Sequence, residues 1–95
     1  AVPVEYTLHQ NYPNPFNPVT TILYDLPENG FTEVVIYDIM GREVTTLIRN
    51  EKTAGYHSIV WDGRNSNGRI VGAGMYFYQV RSGSFIKTRK MLLLK

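Results

Sequence analysis

The sequence predicts an all-β domain, an Ig-like antiparallel β-sandwich of about seven strands. Short segments alternate apolar with polar residues and recur at a spacing of about 8–12 residues. Turn formers fill the gaps between them, and nowhere do apolar residues hold a helical period of about 3.6 for a dozen positions. Ninety-five residues suffice for one domain with a modest core, and 43% hydrophobic against 19% charged residues is the composition of a chain that folds.

The elements follow in order. Residues 1–5, AVPVE, read as the end of a linker, and the domain runs over 6–95. Tyr6–Gln10 is a short first strand. The segment QNYPNPFNP, Gln10 to Pro18, packs three prolines and three asparagines into nine residues and so excludes helix and central strand. Each proline fixes its own φ and holds Tyr12, Asn14 and Asn17 extended, making a stiff strap that crosses between sheets. Tyr12 and Phe16 are its inward pegs, with Asn11, Asn14 and Asn17 bonded to nearby backbone. Thr20–Leu26 sets Ile22, Tyr24 and Leu26 against Thr21, Leu23 and Asp25. After the turn LPENG, Thr32–Ile39 and Val44–Arg49 form a hairpin through DIMGRE, where Gly41 suits a left-handed position. Beyond the loop NEKTAG, Tyr56–Asp62 places His57, Ile59 and Trp61 on one face, and Trp61 anchors the core. Gly74–Arg81 and Phe85–Leu94 make the last hairpin through SGS. Tyr76 and Tyr78 share one face of it and Met75 and Phe77 the other, as in a central strand.

Chemistry is sparse. With no cysteine, two histidines and eight scattered carboxylates, the chain offers no nucleophile–base pair, no thiolate metal site and no disulfide framework. GRIVGAG, Gly68 to Gly74, has no following helix with which to hold a phosphate. In DGRNSNG the oxygens of Asp62, Asn65 and Asn67 suggest calcium, but the EF-hand spacing fails and no bidentate glutamate follows. Asparagines capping their own backbone explain the 62–68 loop without an ion. The net charge of +2 hides an asymmetry, because residues 63–95 carry seven bases and no acid. Those bases are spread over several elements, which argues against nucleic acid. Seven tyrosines, four phenylalanines and one tryptophan could build a carbohydrate-stacking platform, although most fall at core positions. No apolar run is long enough to span a membrane as a helix, and the front of the sequence lacks a signal-peptide pattern, so export would rely on another segment.

The stretches LHQNYPNPFNPVTTILYDLP, VVIYDIMGREV, AGYHSIVWDGRNSNGRIVGAGMYFYQV and KTRKMLLLK together resemble the C-terminal sorting domain, type A, of the bacterial type IX secretion system. The likeness runs in order from Leu8 to Lys95. The middle portion is also similar to the Ig-like domain of flagellar hook-capping proteins. The first resemblance implies a non-catalytic tag without a cofactor, which directs an upstream passenger from the periplasm through the outer membrane of Bacteroidota to the cell surface or medium. Its implied partners are the outer-membrane translocon and shuttle components, with a sortase-like protease and lipopolysaccharide where the tag is cleaved. Carried over by position, recognition falls on Gly74, Met75, Tyr76, Phe77, Tyr78, Gln79 and Val80, on Gly83 and Lys87, and on Lys90, Met91, Leu92, Leu93, Leu94 and Lys95. Ala73 stands where that family often has a small hydroxyl residue. The alternative is an Ig-like structural or carbohydrate-binding accessory module of a secreted protein.

The residues themselves bear on the last strand. Met91 to Leu94 are all apolar, so both faces of the strand are apolar. Either the strand lies at an edge, with one face and its backbone open to strand addition, or both faces are buried. Lys90 and Lys95 flank it in either case.

Overall fold

A computed structural model describes residues 2–94. In chain order the strands are β1 (Thr7–Leu8), β2 (Thr20–Leu26), β3 (Gly30–Tyr37), β4 (Glu43–Lys52), β5 (Gly55–Trp61), β6 (Gly74–Ser82) and β7 (Phe85–Leu93). They form two antiparallel sheets, one ordered β1-β2-β5 and the other β4-β3-β6-β7. This is the all-β, seven-stranded Ig-like sandwich that the alternation predicts.

The bounds of β2 are those the sequence predicts, because its alternation is strict. β4 runs three residues beyond the expected end, with Asn50, Glu51 and Lys52 opposite Thr32, Phe31 and Gly30. Polar residues on an edge strand face water and so read as loop. β1 has only two residues, since beyond the bond from His9 N–H to Leu23 O the chain turns into the strap. Upstream, Pro3 is buried.

The core lies between the sheets. Ile22, Tyr24 and Leu26 of β2 and Trp61 of β5 meet Val34, Ile36, Tyr76, Tyr78, Val80, Met91 and Leu93 of the opposite sheet. Trp61 sits at one end, its ring 5.7 Å from that of Phe16 and 5.4 Å from that of Tyr76. Its indole N–H donates to Arg64 O at 2.9 Å, so burial leaves no polar group unpaired. Each fully buried side chain of this size contributes about 1.5–3 kcal/mol.

The strap does cross between the sheets. Tyr12 bridges to Thr21 of β2, and Phe16 bridges to Leu93 of β7. Phe16 is buried, but Tyr12 is not the inward peg the sequence suggests; it is 78% exposed, and Asn11 takes the inward position at 2%. The reason is register. Tyr12 pairs with Thr21, an outward-facing residue, so the period of two sends its neighbour Asn11 inside. Asn11 is fully occupied there: Nδ2 donates to Thr20 Oγ1 and Pro13 O, and Oδ1 accepts from Gln10 Nε2. Its backbone N–H donates to the Tyr78 hydroxyl, which itself donates to His9 O at 2.7 Å. The strap ends against Gly63, where a Cβ would come within 3.2 Å of Pro18 Cβ and φ is +78°.

Candidate docking face on the last hairpin

The β6–β7 ladder runs unbroken from Gly74↔Leu93 to Ser82↔Phe85, about a turn in which Gly83 takes φ +59°. An unbroken register sorts side chains strictly between two faces. Tyr76, Tyr78, Val80, Met91 and Leu93 point inward and are buried. Burial raises the pKa of both tyrosines above the usual 10.0.

Met75, Phe77, Gln79, Lys90, Leu92 and Leu94 point the other way. Met75 lies opposite Leu92, Phe77 opposite Lys90, and Gln79 opposite Thr88, to which it donates a hydrogen bond of 3.0 Å. β3 extends these rows, with Tyr37 beside Phe77 and Val35 beside Gln79. The outer face therefore has an apolar end, formed by Met75, Leu92, Leu94, Phe77 and Tyr37. At its other end Glu33 is paired with Arg49 at 3.2 Å and with Arg81 at 4.0 Å.

The residues singled out from the sequence are thus not one surface. Five of them are core. Gly83 lies at the turn, at the charged end, and Lys87 lies on the inner side of β7, lining a groove with Tyr6, Leu8 and Arg89. Lys95 lies outside the described residues. Tyr37 and Val35 were missed, although alternation within Gly30–Tyr37 would have found them once the strand pairing was known.

The backbone edge of β7 corrects the expectation of a free edge. Phe16 N–H donates to Leu92 O at 3.0 Å and Leu94 N–H donates to Phe16 O at 2.8 Å. Leu92 N–H donates to Asn14 Oδ1, and Gln10 Nε2 donates to Lys90 O, each at 3.0 Å. No side-chain hydrogen bond of Asn17 accompanies them among the described residues. The strap therefore occupies the C-terminal half of this edge. The other alternative, burial of both faces, also fails, because Leu92 on the outer face of β7 is only half-buried and Leu94, just past the strand, is 48% exposed. What remains available over Lys90–Leu94 is a side-chain face.

Elsewhere polar side chains serve the fold. His9 Nε2 lies 2.9 Å from Asp25 Oδ2, and the His57 ring stacks on Tyr24 with Nε2 2.7 Å from Thr53 O. In the 62–68 loop, Asn65 Oδ1 accepts from the N–H groups of Asn67 and Arg69, and Asp62 Oδ1 accepts from that of Arg64. Those oxygens cap backbone, as Asx-turns do. Asp38 does the same in the β3–β4 turn, where hydrogen bonds from the Arg42 and Met40 amides hold its pKa below the usual value. The outer face of the last hairpin is thus an apolar patch with the Lys90 side chain at its rim.

The two-sheet architecture defines an Ig-like β-sandwich. Residues 20–84, which contain β2 to β6 whole, match the family described as the FlgD Ig-like domain, and the chain belongs to that family. Several solved structures are similar to it. Dimeric latent PorU from Porphyromonas gingivalis matches with a TM-score of 0.71 at 23% identity over 92% of this chain and 9% of that one. PorZ from the same organism, described as an essential bacterial surface component of its type IX secretion system, matches with a TM-score of 0.64 at 21% identity over 93% and 11%. FlgD from P. aeruginosa gives 0.61 at 28% identity over 78% and 57%. The chain thus spans about a tenth of the first and second of these and just over half of the third. No curated protein matches it.

Proposed function

We propose that this Ig-like domain is a non-catalytic sorting module that directs an upstream passenger through the outer membrane by the type IX secretion system. The observation that carries the reading is the last hairpin. Inward residues of β6 and β7 lock it into the core, while Met75, Phe77, Leu92 and Leu94 form an apolar outer patch edged by Lys90. The likeness to PorU and PorZ, which extends well beyond residues 20–84, supports the placement in that system. With the C-terminal half of the β7 backbone taken by the strap, a translocon or shuttle component reads side chains rather than adding a strand. Delivery to the cell surface, cleavage by a sortase-like protease and transfer to lipopolysaccharide belong to the same proposal.

The test must spare the core. Deleting residues 90–95 would remove Met91 and Leu93 and unfold the sandwich. Phe77→Glu and Leu92→Glu instead change only the outer face. A reporter fused ahead of the domain, in a host with this secretion system, should reach the medium or cell surface with the unsubstituted domain. With either glutamate variant it should remain in the periplasm, while the Trp61 emission of the purified domain stays native. Export undiminished by both variants would leave the domain a structural spacer and overturn the reading.

A further inference from the structure

The sandwich has an edge that the strap does not reach. On β2, Thr21 and Leu23 turn their backbone groups toward Tyr12 and His9. The alternate residues Thr20, Ile22, Tyr24 and Leu26 therefore bond to their partners Trp61, Ile59, His57 and Gly55 on β5. Tyr56, Ser58 and Val60 thus point their N–H and C=O groups away from the sheet. Among the described residues no backbone partner meets them. Edge strands in soluble proteins are blunted by charge, proline, bulges or a covering segment. β4 has Glu43, Arg49, Glu51 and Lys52 and two register irregularities, and β7 has the strap. β5, GYHSIVW, has no charged residue and no proline, and its register with β2 is unbroken. Its outward side chains include Tyr56 at 67% and Val60 at 54% exposure.

We propose that β5 is a self-association edge whose occupant is β5 of a second copy of this chain. The strand is self-complementary in antiparallel pairing. With Ser58 on the two-fold axis, Ser58 faces Ser58, and Tyr56 of each copy faces Val60 of the other. Tyr56, Ser58 and Val60 are also the residues with free backbone groups, so each can exchange both hydrogen bonds with its opposite number. The outer face then gains two aromatic–β-branched cross-strand pairs, a favoured combination. The neighbouring β4 carries two acids and two bases, so a second copy meets no single-signed field there. The product is one continuous sheet ordered β1-β2-β5-β5-β2-β1.

Sedimentation equilibrium of the 95-residue chain, with amide exchange followed by NMR, tests this. The mass should rise from 10.9 kDa toward twice that value as concentration increases to about 1 mM. The amides of Tyr56, Ser58 and Val60 should gain protection together over the same range. Ser58→Lys sets two like charges face to face on the axis while leaving the β2–β5 ladder intact, and it should hold the mass at 10.9 kDa with unchanged circular dichroism. An unsubstituted chain that stays monomeric to that concentration, or a Ser58→Lys chain that dimerises as well as its parent, would overturn the proposal.

Discussion

The two flanks of the sandwich treat the same physical problem in opposite ways. On the β1/β7 flank the strap joins both sheets, pairing Tyr12 with Thr21 and Phe16 with Leu92 and Leu94, so that most exposed backbone is answered within the chain. On the β4/β5 flank, among the described residues, only the short Thr53–Ala54 connection and one backbone bond, from Ser66 N–H to Val44 O at 3.1 Å, cross between the sheets, and neither reaches the outward backbone of Tyr56, Ser58 and Val60. β4 relies on charge and irregular register, and β5 has neither. A sandwich leaves four sheet edges, and a domain of this size has few residues with which to cover them. Here the covering is concentrated where the strap meets β2 and β7. The closed flank contributes to stability, and the open one leaves an edge for association.

Damage to the closed flank should therefore cost the most. Phe16→Ala removes a buried ring packed on Trp61 and should destabilise by about 3–5 kcal/mol. At roughly 4–8 °C per kcal/mol, the melting temperature should fall by at least about 12 °C, and a fall under about 4 °C would deny the strap its anchor. Tyr78→Phe comes next. It leaves the Asn11 N–H and the His9 carbonyl without their partner, at about 1–3 kcal/mol by urea denaturation.

The same tyrosine gives the flank a pH dependence. Its pKa is raised by burial from 10.0, so the folded state keeps a proton that the unfolded state gives up at high pH. That stability is fully present below pH 10 and is lost as pH rises through the folded value. Tyr24 and Tyr76 are raised too, so the Tyr78→Phe chain should show a shallower but not flat alkaline limb in its urea midpoints. An unchanged limb would remove Tyr78 from the account. Asn14→Ala is smaller, about 0.5–1.5 kcal/mol, and should speed exchange of the Leu92 amide while leaving that of Ser58 untouched. Last, Tyr12→Ala should shift stability by no more than about 0.5 kcal/mol, since its ring lies in water. A large loss there would make Tyr12 the peg after all.

How much of this was legible in the sequence depends on the range of the forces involved. β2 could be bounded to the residue because its alternation is local and complete. The split of the last hairpin into inner and outer sets followed from the period of two, as Tyr76 and Tyr78 against Met75 and Phe77 illustrate. The strap defeated that reasoning. Its prolines erase alternation, and hydropathy favours Tyr12 over Asn11 for the inward place. The decision is made by the register with Thr21 and by hydroxyls on Thr20 and Tyr78, the latter 67 residues away. The covered edge of β7 was hidden for the same reason, since its partner Asn14 lies 78 residues earlier. The outer-face neighbours Tyr37 and Val35 needed the order of strands in the sheet, which no local pattern encodes.

That long separation also orders events in time. Synthesis delivers the strap well before its partner strand β7, and contacts so distant in sequence form slowly because the intervening chain must first be confined. Until Leu92 and Leu94 are present, Asn14 and Phe16 have no edge to grip, and the Trp61 end of the core stays open. A chain cut short anywhere before β7 would therefore expose Phe16 and Trp61 together, as apolar surface a protease or chaperone can recognise. Closure of the strap is in effect a check that the domain has been made through to β7.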